Sequence, residues 1–189
     1  MEKSSFFNSV SGDRKYKAED WASYFASFIG NGVFPLPSTG LQVVAGNGMQ
    51  VTVKAGKAWI NGYFYNNTSD LSLTLATADG VLNRIDRVVV RWDLTNRLIS
   101  VKVKSSSPSA SPTAPNIERD ADIYELALAD IYIGAGVTSI TGSKITDKRL
   151  DTSVCGVVAA VVDQIDTEAF NAQLEAWFAE YQSNSAAEY

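Results

Sequence analysis

Histidine is absent from this 189-residue chain, and cysteine occurs once, at Cys155. Together these absences remove Ser-His-Asp and Cys-His nucleophilic chemistry, histidine-ligated metals, intrachain disulfides and cysteine zinc clusters. No metal or other cofactor is expected. No apolar run approaches the ~18 residues of a membrane-spanning helix, so a soluble chain with no membrane partner is expected. The opening MEKSSFFNSVSGDRKYK lacks the apolar stretch of a secretory signal, which makes synthesis in a cytoplasm the expectation. In that setting the sequons at Asn66 and Asn67 are not read as glycosylation sites.

Positive charge is missing from one end. From Asp151 onward there are seven acids and no Lys or Arg, whereas the first 150 residues carry sixteen bases against fourteen acids. Such asymmetry marks the C-terminal segment as a separate element. The net charge of −5 and the lack of any long Lys/Arg cluster exclude nucleic acid as an expected partner.

What is present is apolar and aromatic residues in two periods. Residues 1–33 read as a docking segment dense in aromatics, with Phe6, Phe7, Trp21, Tyr24, Phe25 and Phe28 as the candidate partner-docking residues. In AEDWASYFASFIG, the residues Trp21, Tyr24, Phe25, Phe28 and Ile29 fall at helical spacing, acids occupy the first turn, and Gly30 and Gly32 stop the pattern. This stripe either covers the following domain's core or docks on a partner.

Over residues 34–150 the period changes to two, and turn signals recur every eight to twelve residues, which predicts an antiparallel sandwich or barrel-like domain. Gly46-Asn47-Gly48 reads as a turn before the alternating Met49, Val51 and Val53. AWINGYFY reads as one strand with a bulge at Gly62. On that reading Trp59, Tyr63 and Tyr65 share a face and form a candidate glycan-contact row, though sheet packing is the simpler use of such a row. Leu71, Leu73 and Leu75 alternate with polar neighbours. Val88, Val90 and Trp92 match Ile99, Val101 and Val103 across Leu94-Thr95-Asn96, which predicts a hairpin. SSSPSASPTAPN, residues 105–116, holds three of the five prolines and is expected to be an exposed loop. IYELALADIYI reads as a strand buried on both faces, and two short pieces near Thr138–Ile140 and Lys144–Thr146 close the β region.

Residues 151–189 return to helical spacing from Val157, readable as a coiled-coil stalk, with a register shift near Thr167. Val158, Val162, Ile165, Phe170, Leu174, Trp177 and Tyr181 form the candidate oligomer interface. The fold expected overall is therefore mainly β, with a short N-terminal helix and a C-terminal helical oligomerisation segment.

Candidate chemistry is sparse. Asp86 and Asp93, and Asp120 and Asp122, are the available paired carboxylates, but Arg84 and Arg87 beside Asp86 favour ion pairing over acid catalysis. Gly46-Asn47-Gly48 and Gly134-Ala135-Gly136 lack a following helix with Lys-Ser/Thr and are read as turns rather than phosphate loops. Cys155 reads as a buried structural thiol. Arg87, Arg91, Lys102 and Lys104 share strand parity and would line one sheet face, either solvated or set against an anionic partner such as a wall polymer. An enzyme is not expected.

Three stretches, SFFNSVSGDRKYKAEDWASYFASFIGNGVFP, the hairpin RIDRVVVRWDLTNRLISVKVK with its PSASPTAP loop, and YELALADIYIGAGVTSITGSKITDKRLDTSVCG, resemble baseplate and tail-tip proteins of phages of Gram-positive bacteria. They are similar to the N-terminal modules of baseplate upper proteins and receptor-binding proteins. The FFNS-GDRKY and ITDKRLDTSVCG blocks are the most specific part. The resemblance implies a non-catalytic virion component whose N-terminal module anchors to other baseplate or tail proteins and whose helical stalk forms a homo-oligomer, most simply a trimer. With no distal head after the helix, an adaptor is expected rather than the receptor-binding protein itself. A host-wall saccharide module, a host receptor-binding protein and a bacterial extracellular scaffold are the alternatives.

Overall fold

The computed structural model describes Glu2, residues 4–161, Ala172 and residues 175–178. The chain divides into two units, Met1–Ala159 and Ala160–Tyr189. The first unit is mainly antiparallel β and opens with one short helix, α1 (Ala18–Ala26). Asp20 starts that helix by accepting the Lys17 N–H at 2.8 Å, and the Ser27 hydroxyl closes it by donating to the Tyr24 carbonyl at 2.6 Å.

Three sheets follow. In the first, β1 (Gly32–Val33), β4 (Gly56–Ile60) and β5 (Tyr63–Asn67) lie in that order. The second contains β2 (Val43–Ala45), β3 (Gln50–Val53) and β6 (Leu71–Thr74). The third runs β10 (Ile145–Asp147), β9 (Ile123–Ile133), β7 (Arg84–Asp93), β8 (Leu98–Ser105). All three feed one core, with Val33, Ile60, Val51, Val53, Leu126 and Ile131 buried together. Alternation does the sorting. Val88, Val90 and Trp92 pair with Val103, Val101 and Ile99 in the register read from the sequence, so one face of the hairpin is apolar and turned inward.

Three expected elements differ. AWINGYFY is a hairpin, not a single bulged strand: Ile60 pairs with Tyr63 across Asn61 (φ 51°) and Gly62 (φ 82°), the two positive-φ positions of a type I′ turn. The C-terminal helical pattern also starts too early, because Val157 and Val158 are extended. Val157 bridges Val33 in parallel fashion, Val158 N–H donates to the Val33 carbonyl at 2.9 Å, and Gly30 N–H donates to the Ala159 carbonyl at 2.9 Å. Backbone pairing on the free edge of β1 outweighs the helical spacing of two β-branched residues. Gly32 permits the approach, since a Cβ there would sit 2.6 Å from the Val157 carbonyl carbon. Near Thr138–Ile140 there is no strand; a 3₁₀ turn (Gly142–Lys144) leads directly into β10.

Candidate docking face and groove

The N-terminal segment builds its own aromatic cluster. The Tyr16 hydroxyl accepts the Phe7 N–H at 2.7 Å and donates to the Phe7 carbonyl at 3.0 Å, folding the arm back over the helix. Phe6 then lies 4.3 Å from Trp21, 4.8 Å from Tyr24 and 5.4 Å from Tyr16, ring centre to ring centre. The chain of rings continues from Tyr24 to Phe28 at 4.8 Å, from Phe25 to Trp59 at 6.1 Å, and from Trp59 to Phe64 at 6.3 Å. These spacings suit tilted and edge-to-face contacts.

This cluster does not cover the core. Ala22 is the one buried residue of α1, while Trp21, Tyr24, Phe25, Phe28 and Phe64 stay 40–52% exposed and Phe7 59%. The helix rests on the β domain through a close approach of backbones, because a Cβ on Gly62 would lie 1.8 Å from the Ala22 carbonyl oxygen. Trp21, Tyr24, Phe25 and Phe28 are linked by ring contacts, and Trp59 joins Phe25 to Phe64, so these rings make a continuous apolar face, the usual mark of an interaction surface.

The aromatic row expected from Trp59, Tyr63 and Tyr65 is split by the turn. Trp59 pairs with Phe64 and faces α1, whereas Tyr63 and Tyr65 pair with Ile60 and Ala58 and turn to the other face, toward the core. There Tyr63 meets Trp92, with ring centres 5.7 Å apart, in a groove of about 720 Å³ between β5, the β7–β8 hairpin and the start of α1. Burial raises the Tyr63 and Tyr65 phenols above the ordinary tyrosine value, and the nearby Glu19 carboxylate raises Tyr63 further.

The basic sheet face is neutralised from within. Arg87 forks onto Asp130 at 2.6 and 2.8 Å, and its remaining nitrogen donates to the Pro115 carbonyl. Arg91 and Lys104 converge on Glu125, which is fully buried, and Glu125 also accepts the Glu118 N–H. Asp130 and Glu125 have opposite sequence parity. The register shift that leaves Leu128 unpaired brings both to the same face. The proline loop expected to be exposed is therefore half engaged: its Pro115 and Asn116 carbonyls cap Arg87 and Lys104. Lys102, the fourth base of this row, stays exposed, so three of the four charges are compensated and little is left for an anionic polymer.

Of the carboxylates, Asp86 pairs with Arg84 at 3.0 Å in full burial, and Arg84 also donates to the Thr77 and Ala76 carbonyls. Burial pushes the Asp86 carboxyl up, against the lowering effect of Arg84 and of Ser105. Asp93, at the other end of β7, is held below the ordinary value by the Asn96 backbone N–H and side-chain amide. Asp120 ties its own turn by accepting the Asp122 and Ile123 N–H groups. Among the described residues no three His, Cys, Asp or Glu side chains come together as a metal site.

The ITDKRLDTSVCG block is a clasp. Arg149 pairs with Asp147 and donates to the Ser38 and Gly40 carbonyls, Lys148 pairs with Asp151, and Gly156 (φ 91°) turns the chain toward β1. Cys155 is buried beside it, its thiol pushed up to about 12 chiefly by desolvation.

Of the candidate oligomer-interface residues, Val158 lies in the extended stretch and Trp177 in a short helical stretch, 58% exposed with its ring 5.6 Å from Phe178. Val162, Ile165, Phe170, Leu174 and Tyr181 lie outside the described residues. The groove was missed from sequence because its members, Glu19, Tyr63, Trp92 and Arg97, are brought together only by the topology. Set against family models, curated proteins and solved structures, the chain matches none.

Proposed function

We propose that this protein is a non-enzymatic virion component of a phage tail or baseplate, an adaptor that links the tail to the host-receptor-binding apparatus. The observation that carries the reading is the continuous, half-exposed aromatic face formed by Phe6, Trp21, Tyr24, Phe25, Phe28 and Phe64, which α1, its flanking residues and β5 present outward instead of inserting into the core. A surface of this kind is stabilised by a protein partner, and aromatic anchors dominate the energetics of such contacts. The resemblance of the same segment to baseplate proteins names the partner class: other tail or baseplate proteins.

The β domain suits a connector. In the adaptor reading it is a rigid sandwich or barrel-like body, and the Arg149 clasp returns the chain to β1, so the stretch Gly156–Ala159 leaves the domain beside Gly30–Val33. The chain therefore leaves the β domain next to where the N-terminal segment enters it. The heptad-like spacing of the C-terminal segment suits a parallel assembly within the virion, most simply a trimer, and the seven acids from Asp151 onward, which such an assembly brings close together, make its association stronger at higher salt or lower pH.

The test is incorporation. Full-length protein carrying Trp21→Ser with Phe25→Ser should fold with the wild-type melting temperature and be lost from purified particles, whereas Lys102→Ser should be retained. Normal incorporation of the double variant refutes docking through this face. Unfolding of the β domain in the double variant would show instead that the aromatics belong to its core.

A further inference from the structure

We infer that the groove along β5 is a strand-addition site, in which an extended, alternately apolar segment of the docking partner lies as a fourth strand of the β1–β4–β5 sheet. The inference rests on the docking reading above and deepens it, because the groove continues the aromatic face: Phe64 belongs to both, and Ala18 and Glu19 of α1 line it.

The backbone carries the argument. β5 is the edge strand of its sheet, and among the described residues no backbone group outside β4 bonds to Tyr63–Asn67. In a two-residue hairpin the pair that closes the turn, here Ile60 with Tyr63, exchanges both hydrogen bonds, and bonded and unbonded pairs alternate from there. Tyr63, Tyr65 and Asn67 therefore bond to β4, while Phe64 and Asn66 turn their N–H and C=O groups to the free edge. The residue opposite Asn66 obeys the same phase: the Lys57 carbonyl points away from β5 and accepts the Phe34 N–H at 3.0 Å. Two donors and two acceptors thus face the groove at strand spacing, the pattern that an added strand satisfies. Nothing in the sequence YFYNN guards this edge, whereas the edge strand β8, LISVKVKS, carries two lysines.

The lining has the matching shape. Four successive residues, Tyr63, Phe64, Tyr65 and Asn66, line the groove, so it follows the edge of the strand and not one of its faces. A five-residue strand about 17 Å long, set 4.8 Å from its neighbour in a layer about 10 Å thick, takes up about 800 Å³. The groove offers about 720 Å³. Trp92 is buried and closes it from the core side, which leaves Tyr63, Tyr65 and Ile99 to meet alternate side chains of the added strand. Those side chains are apolar, and the ones between them lie level with Phe64 and Asn66 on the exposed side. Glu19 and Arg97 line the groove without an ion-pair partner among the described residues, so a segment carrying charges of both signs complements it.

The experiment follows backbone hydrogen exchange, residue by residue, in the full-length chain free in solution and in purified particles. In the free protein the Phe64 and Asn66 amides should exchange fast and those of Tyr63 and Tyr65 slowly; in particles the Phe64 and Asn66 amides should slow about tenfold or more. Asn66→Pro removes an N–H that the β4–β5 ladder does not use, so it should keep the wild-type melting temperature while incorporation falls about tenfold or more. Asn66→Ser keeps the N–H and should incorporate normally. Phe64 and Asn66 amides that stay fast in particles, normal incorporation of folded Asn66→Pro, or an equal loss with Asn66→Ser overturns the strand inference alone. Retention of Trp21→Ser with Phe25→Ser overturns the docking reading instead, and absence of the wild type from particles overturns both. Protection already present in the free protein also overturns the inference: if it disappears on dilution the occupant is a second copy of this chain, and if it persists the occupant is the chain's own segment. Should Asn66→Pro fail to fold, the exchange measurement decides.

Discussion

Trp92 on β7 and Trp21 on α1 carry the same side chain into opposite surroundings: Trp92 is 8% exposed and joins the common core, while Trp21 is 48% exposed and touches chiefly other aromatics. Trp92 sits on a ten-residue strand paired on both edges, so parity and neighbours force its burial. Trp21 sits on a nine-residue helix whose one buried residue is Ala22. A helix held by a small residue against a glycine presents its larger residues sideways and outward. Aromatic density thus signals a core in one region and a contact surface in the other, and what separates them is how many strands enclose the residue.

The largest effect expected from breaking this comparison is at Trp92. Trp92→Ala should cost about 3–5 kcal/mol in urea unfolding, through lost transfer energy and the cavity it leaves. Trp21→Ala should change the same midpoint by no more than about 0.5 kcal/mol. Equal losses at the two sites would make the N-terminal segment part of the core.

Nearly as large is the effect expected on the charged face of the same sheet. Glu125 is buried and accepts from Arg91, Lys104 and the Glu118 N–H; Glu125→Ala leaves that N–H unpaired and takes one acceptor each from Arg91, which keeps Glu118, and Lys104, which keeps the Asn116 carbonyl, and should cost about 2–3 kcal/mol. Glu125→Gln keeps acceptors in place and should recover part of that loss. A cost below about 1 kcal/mol for Glu125→Ala would mean that solvent reaches this network freely.

A smaller effect sharpens the other half of the comparison. Gly62→Ala places a Cβ against the Ala22 carbonyl and puts alanine at φ 82°, so it should lose about 1–2 kcal/mol and lift α1 from the β domain. Limited proteolysis should then cut between Arg14 and Lys17 faster, with the β core intact. Unchanged cleavage would show that the helix is held by its rings and not by the Ala22 contact.

How much of this was legible follows from the same contrast. The β7–β8 register was readable because strict alternation and a short polar turn leave one solution for Val88, Val90 and Trp92. The Asn61-Gly62 turn carried the strongest local hairpin composition, yet the apolar run on both sides made AWINGYFY look continuous, and the face assignment of Tyr63 and Tyr65 turned on that turn. The register shift at Leu128 leaves no Gly or Pro to mark it, so the burial of Glu125 was hidden inside an apolar run. Val157 and Val158 fit a helical period and became extended only because β1 offers an edge. Local pattern fixes local pairing, and what depends on a partner distant in sequence, as the groove does, stays unreadable from pattern.

The smallest expected effect is one of pH, and it sets the inner face of β7 against the exposed turns. Asp79, Asp93 and Asp151 are held below the ordinary carboxylate value, first by the Leu82 N–H, the Asn96 N–H and the Ser153 hydroxyl respectively. Their contribution is present above the ordinary value of about 4 and is lost as pH falls through their folded values. Asp86 runs the other way. Burial raises its folded value, so between about pH 4 and that value the folded state holds a proton that the unfolded state has released, and stability falls as pH rises. Asp86→Asn removes this second slope alone and keeps an oxygen to accept from Arg84 Nε. Melting temperatures of wild type and variant should therefore fall together on acidification below about pH 4, with the variant gaining on wild type as pH climbs above it, then running parallel. A variant that instead loses ground toward neutral pH would show that the ion pair with Arg84 outweighs the cost of burying the carboxylate.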